Sequence, residues 1–217
     1  QNYNSQSSYI AQVGLPMGMM YGYVYEGTYK YDDFNKSGNT YTLKKGVPYY
    51  STETNTQPGM PKYKDVNGDG IIDANDRTII GRGLPIHTGG FTNNFTYKGF
   101  DLSVFFQWSY GNDIMNANRL FFESSNNKSR ELNQYASYAG RWTPENPGQW
   151  TFRQPPLPPP NRVISSRIVE DGSFLRLKTV TLGYTFPKAL IAKARLSNAR
   201  VYIAAAEPVD VDQLFRL

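Results

Sequence analysis

Cysteine is absent from the 217 residues. That excludes a disulfide framework, thiolate metal sites and a cysteine nucleophile. Histidine occurs once, at His87; no Ser-His-Asp or Cys-His arrangement can be assembled around it, and a lone histidine is usually structural. No run approaches 18 apolar residues, so the chain has no transmembrane helix. A dense basic patch is also missing. The formal charge is +5, from 23 basic and 18 acidic residues, but the cations are scattered, and a nucleic-acid footprint requires a patch. No nucleic-acid partner is expected. There is no phosphate-cradling glycine loop of the Walker or Rossmann type. Glu170 and Asp171 are neighbours, and on an extended chain they point to opposite faces; a glycosidase pair must face across a cleft. These absences predict a protein that is not an enzyme. The chain begins at Gln1 without initiator Met, basic n-region or apolar h-region. This predicts either a cleaved signal peptide or a segment of something longer.

Rings are abundant instead. Tyrosine (17), phenylalanine (12) and tryptophan (3) make up 15% of the chain. Yet the mean hydropathy is −0.56, polar for a sequence so rich in aromatics. Tyrosine leads, and its apolar ring with a polar tip suits half-wet surfaces. Strands of a transmembrane barrel combine these traits, since only alternate residues of roughly 9–11 must be apolar.

The segment from Phe91 to Tyr110 carries the clearest pattern. Phe91, Phe95 and Tyr97 share one parity, against Thr92, Asn94 and Thr96. Lys98-Gly99 follows as a tight-turn signal. Then Phe100, Leu102, Val104, Phe106, Trp108 and Tyr110 fall on even positions, while Asp101, Ser103, Gln107 and Ser109 fall on odd ones. Phe105 is the exception. Eleven alternating residues with rings at both ends match the girdled strands of outer-membrane barrels. A soluble β-sandwich strand also alternates but averages about 5–6 residues. Phe174 to Phe186 alternates again. Pro187 to Arg195 predicts a short helical turn with proline at its start, and Ala199 to Ala205 a further strand. Period two from Tyr21 to Lys30 predicts one strand. Residues 32–61 read mostly as loop. Residues 111–170, with the proline run Pro155–Pro160, read as a long external loop, since periplasmic turns of such barrels are short. The Lys98-Gly99 and Pro187–Asn198 connections are then periplasmic.

One local motif points to a metal. Asp65, Asn67, Asp69, Asp73 and Asp76 occupy positions 1, 3, 5, 9 and 12 of a calcium loop, with Gly70 at the sharp turn and Ile71 offering a backbone carbonyl. Calcium prefers such hard oxygen donors. Aspartate at position 12 reaches less far than glutamate, and no helices flank the loop, so it is not an EF-hand pair. An Asx-rich turn without metal is the alternative. A bound Ca2+ would stiffen an external loop.

Several blocks occur together in order. They are Tyr21-Gly-Tyr-Val-Tyr-Glu-Gly-Thr-Tyr29, Tyr63-Lys-Asp-Val-Asn-Gly-Asp-Gly-Ile-Ile-Asp73 and Asp76-Arg-Thr-Ile-Ile-Gly81. Asn93-Asn-Phe-Thr-Tyr-Lys-Gly-Phe-Asp-Leu-Ser103 and Phe105-Phe-Gln-Trp-Ser-Tyr-Gly-Asn-Asp-Ile114 follow, then Arg141-Trp142. Ser165-Ser-Arg-Ile-Val-Glu-Asp-Gly-Ser-Phe-Leu-Arg-Leu-Lys178 and Val180-Thr-Leu-Gly-Tyr184 close the series. In this order they resemble the C-terminal region of the SusC/RagA family of TonB-dependent outer-membrane transporters of Bacteroidetes, over roughly residues 14–205. The resemblance implies an all-β fold: the C-terminal strands of a large, plugged, transmembrane antiparallel β-barrel with long extracellular loops. It implies outer-membrane lipid around the strands and import of glycans or oligopeptides. It also implies a SusD-like surface lipoprotein as partner, and the TonB complex engaged through an N-terminal part outside this chain, as is the plug. The whole of 1–217 is then one barrel portion, with 207–217 an atypical tail that departs from the family. Trp142 and Trp150 are the candidate substrate-binding residues, because rings stack on sugars and peptide groups; loop packing is the alternative for both. Two other readings are a secreted, calcium-stabilised, β-rich carbohydrate-binding module and a cell-surface structural protein.

Overall fold

In the computed structural model of the chain, residues 8–50, 52–123, 133–146 and 163–210 are described. They form two compact units. One contains Gln1–Leu84 with Asp113–Glu170; the other contains Pro85–Asn112 with Asp171–Leu217. No helix among the described residues is long and apolar enough to cross a membrane.

The second unit is a single antiparallel sheet. Its strands are His87–Tyr97, Phe100–Tyr110, Phe174–Thr185 and Arg200–Asp210, hydrogen-bonded in that order. The first pair is closed by Lys98 and Gly99, both at positive φ (46° and 89°). That is the twist of a two-residue type I′ hairpin, which matches the twist of its strands. Tyr97 consequently faces Phe100, and the register runs unbroken to His87 opposite Tyr110. The helical turn expected after Pro187 is present as Lys188–Ile191 and Ala192–Ala194. It ends at Arg195 in the left-handed region (φ 56°). The last strand runs further than the alternation of 199–205 indicates: its ladder continues to Asp210, opposite Arg176. The stretch from Glu207, which shows no strand pattern in the sequence, is thus strand through Asp210, because backbone pairing does not require an alternating sequence. Residues 211–217 lie outside the described residues. The sheet is open among the described residues, and closure into a barrel is not seen.

The first unit is built from short strands around two aromatic cores. Tyr23, Tyr63 and Ile72 pack with Tyr25, Tyr50 and Val163. Tyr29, Phe34 and Leu43 pack with Tyr41, Val47, Tyr49 and Met60. Two sequence expectations are corrected here. Tyr21–Lys30 is not one strand but two, Met19–Gly22 and Tyr25–Thr28, which pair with different partners, Thr78–Arg82 and Pro61–Tyr63. The break lies at Tyr23, whose backbone N–H and C=O bond instead to Ile164 and Ser166. Gly22 lets that strap approach, since a Cβ there would sit 2.4 Å from the Ile164 carbonyl oxygen. Residues 32–61 are likewise not mostly loop: Phe34–Ser37 and Thr40–Leu43 form a hairpin, turning through Gly38 at φ 59°. The Gly-Asn pair between Ser37 and Thr40 is a recognised hairpin signal.

Candidate functional site

The long sheet has two chemically different faces. Side chains paired across strands share a face, so the register sorts them. One face carries the rows Tyr97–Phe100–Tyr184–Val201, Phe95–Leu102–Leu182–Ile203 and Asn93–Val104–Val180–Ala205, then Phe91–Phe106–Leu177 and Gly89–Trp108–Leu175. It is apolar except at Asn93. The opposite face carries Thr96–Asp101, Asn94–Ser103–Thr181 and Gly90–Gln107–Arg176. The apolar face is not a covered core: Phe95 is 60% exposed, Leu182 48% and Ile203 77%. Leu102, Phe106 and Trp108 are only half-buried. A soluble sandwich would bury such a face under a second sheet; none lies over it among the described residues of this unit.

Rings gather at both ends of the apolar face. At the hairpin end Phe100 meets Tyr184 at 4.6 Å between centroids, and Tyr184 meets Phe186 at 5.1 Å. At the other end His87 stacks on Tyr110 at 5.2 Å and accepts a hydrogen bond at Nδ1 from Trp108 Nε1 (3.0 Å). The lone histidine is therefore engaged in ring packing. Trp108 lies over Gly89, where a Cβ would come within 2.3 Å of the indole.

On the polar face Arg200 donates through Nε to Asp101 Oδ1 (3.1 Å) and through Nη2 to Oδ2. This bidentate pair reaches across the intervening strand because residue 183 is glycine; a Cβ there would lie 2.6 Å from both partners. Further along, Thr88, Gly90, Phe105 and Gln107 line a shallow cavity of about 450 Å³ with Gly89 and Lys178. Lys178 is the extra residue at the bulge where Phe105 faces Thr179 and Phe106 faces Leu177. A bulge re-aims a side chain in this way. Phe105, the parity exception in the sequence, caps Gly90 on this face.

The acidic loop belongs to the first unit. Ile71–Ile72 pairs in parallel with Tyr49–Tyr50, and Ile72 is buried against Tyr23 and Tyr63. The loop's oxygens accept its own amides. Asp65 accepts from Gly68 (2.6 Å) and Gly70 (2.8 Å), Asp69 from Ile71 (2.8 Å), and Asp73 from Asn75 (2.7 Å). Asp76 is fully buried and accepts from Val66 (2.8 Å) and Asp73 (2.8 Å). Burial works to raise its pKa. The amides of Asp73, Val66 and Asn67, with a side-chain hydrogen bond accepted from Asp65, outweigh that and hold it below the usual carboxylate range. Positions 1 and 12 of the loop are thus side by side, as a cation site requires, with Gly70 at φ 84° supplying the sharp turn. The donor chemistry fits calcium. Among the described residues no three carboxylates or imidazoles converge on a single point.

Trp142 is 3% exposed. Its ring stands 5.7 Å from Tyr31 and covers Gly59, where a Cβ would lie 2.4 Å from the indole. Trp150 and the proline run 155–160 lie outside the described residues.

No protein-family model matches the chain. Curated relatives do. TonB-dependent receptor P3 of Formosa agariphila is 34% identical over 196 residues, covering 90% of this chain and 18% of the relative. TonB-dependent receptor P26 of the same organism is 40% identical over 153 residues, covering 67% and 14%. The chain belongs to the TonB-dependent receptors. It spans less than a fifth of the length of these two relatives. Its fold matches the RagAB peptide transporter, with a TM-score of 0.63 at 23% identity over 96% of this chain and 21% of that one. The RagAB peptide importer in the closed-closed state aligns with a TM-score of 0.65 over 95% and 21%.

One polar cluster of this TonB-dependent receptor segment leaves no signal in the sequence. Glu123 and Arg167 form an ion pair buried in the first unit. Arg119 Nε and Ser137 Oγ also donate to Glu123 (2.9 and 3.0 Å), and Arg119 Nη1 donates to the Arg167 carbonyl (2.9 Å). A buried charge is tolerated only when paired and hydrogen-bonded, as here. Nothing in the local sequence around Glu123 or Arg167, 44 residues apart, announces the pairing.

Proposed function

We propose that this chain is part of an outer-membrane transporter that imports glycans or oligopeptides. The observation that carries the reading is the exposed apolar face, ringed by aromatics, on strands of eleven or twelve residues. Eleven residues at roughly 3.3 Å each reach about 36 Å. Tilted by about 45° they span about 25 Å, the height of an outer-membrane apolar band. Lipid would meet the apolar face, and the polar face would line the lumen. The RagAB likeness supports a two-component assembly with a SusD-like surface lipoprotein, and receptor membership supports coupling to TonB through parts of the protein beyond these residues. No step in this reading needs the chain to act as a catalyst.

In this reading cargo meets the polar face and the 112–170 connection, with Trp142 and Trp150 as stacking rings. Burial of Trp142 against Gly59 makes loop packing its first role. Asp65, Asn67, Asp69, Asp73 and Asp76, with the Ile71 carbonyl, would hold a structural Ca2+ that neutralises the Asp65–Asp76 pair.

Cell fractionation tests the main reading. The full-length receptor should be recovered from detergent-solubilised outer membranes; recovery as a soluble monomer contradicts it. Calcium titration tests the loop. Asp69→Ala should lower calcium affinity, and unchanged affinity would remove the metal.

A further inference from the structure

We infer that the connection between the last two long strands is a membrane-interface anchor that binds phospholipid phosphate groups. The inference rests on the transmembrane reading of the sheet. It concerns one end of that sheet, where two connections emerge together. Thr185 N–H donates to the Gly99 carbonyl (2.8 Å), and Phe186 N–H donates to the Ala199 carbonyl (3.0 Å). The Lys98-Gly99 turn and the 186–199 connection therefore leave the same edge.

The chemistry of that edge is one-sided. Between Phe186 and Ala199 there are three cations, Lys188, Lys193 and Arg195, and no Asp or Glu. Lys98 adds a fourth from the neighbouring turn. All four side chains are exposed. Asp101, the carboxylate in the first row of the polar face after the Lys98-Gly99 turn, is bound by Arg200. None of the four is in an ion pair among the described residues; Lys98 Nζ stands 5.1 Å from the Tyr97 ring centroid, and the rings of Phe100, Tyr184 and Phe186 lie at the same end of the sheet.

The connection is also amphipathic. Ile191 is buried, but Leu190 and Leu196 are 60% and 53% exposed. Exposed leucines beside exposed lysines are costly in water and ordinary at the boundary of headgroups and acyl chains. There the leucines enter the apolar layer, the rings sit at headgroup level, and the long basic stems extend so that their charges reach phosphate. The exposed apolar face runs without interruption from Leu182 and Ile203 to Tyr184 and Val201 at this end, so the anchor continues the surface that lipid covers. A short turn and a compact connection are periplasmic features of such barrels. The occupant is accordingly the inner leaflet, and the ligand a phosphatidylglycerol-type anionic headgroup.

The test uses the full-length receptor purified in detergent and native mass spectrometry with phosphatidylglycerol or phosphatidylcholine. The unaltered receptor should retain phosphatidylglycerol preferentially. The triple variant K188Q/K193Q/R195Q should lower the ratio of retained phosphatidylglycerol to phosphatidylcholine by roughly tenfold or more, each cation near an anionic surface being worth about fivefold. An unchanged ratio overturns the anchor. Preferential retention of lipid A over phosphatidylglycerol by the unaltered receptor overturns the inner-leaflet assignment. L190Q/L196Q should reduce retention of both lipids. Extraction of the unaltered receptor from outer membranes reports separately on the transmembrane reading, which fails if the receptor is not there.

Discussion

At the residue scale, small side chains set what large ones can do. Gly183 allows Asp101 and Arg200 to pair across a strand, Gly89 receives the Trp108 ring, and Gly59 receives Trp142. Asp76 works in the opposite direction: its carboxylate organises the backbone around it through the amides of Val66, Asn67 and Asp73. Asp76→Ala should leave these donors unsatisfied, at about 1–3 kcal/mol for a buried group. Hydrogen exchange should then show lost protection of these amides while the long sheet is unaffected. The folded-state pKa of Asp76 lies below its ordinary value. Its stabilisation is therefore complete above the unfolded pKa, near 3.9, and is lost as pH falls through the lower folded value. The protection factors of the same amides, taken relative to intrinsic exchange at each pH, should fall below about pH 4. Tyrosine burial shows the same economy of space. Desolvation pushes Tyr23 and Tyr25 up to about 12, so both stay neutral in the aromatic core of the first unit.

At the element scale, the long strands were legible because side-chain parity on a two-faced sheet leaves a direct record in the sequence. Phe100 to Tyr110 alternates as the register requires, and Lys98-Gly99 announced its own turn. The short strands of the first unit were not legible in the same way. There both faces of the chain contact other segments, so Tyr21–Lys30 kept its tyrosine spacing while its backbone changed partners at Tyr23. The 34–43 hairpin, read as loop, leaves only its Gly-Asn turn as a trace in the sequence, because strands of four residues are too short for parity to show. The buried Glu123–Arg167 pair depends on a contact between distant segments, which spacing does not encode. The two faces of the long sheet should answer substitution differently. Leu102→Lys places a charge toward lipid and should destabilise the receptor by about 2–4 kcal/mol near the midplane. Ser103→Lys, one residue away on the polar face, should change stability by less than about 1 kcal/mol. Urea unfolding of the receptor in lipid vesicles measures both; equal effects would refute the assignment of faces.

At the scale of the whole molecule, the chain is divided into an aromatic-cored unit of short strands and a sheet whose apolar side is left uncovered by the described residues of its own unit. The His87–Tyr97 and Arg200–Asp210 strands each have one ladder partner among the described residues, so the sheet offers two open edges as well as an exposed face. Such edges are templates for association unless they are paired. A large barrel pairs them with further strands and gives the apolar face to lipid. Spin labels placed singly at residues 100–110 of the receptor in lipid vesicles test this most directly, by comparing collisions with oxygen and with a water-soluble nickel chelate. The account predicts a period of two, with oxygen favoured at 102, 104 and 106 and the chelate at 101, 103 and 107. Uniform access to the chelate, or exclusion of both reagents from even positions, would contradict it.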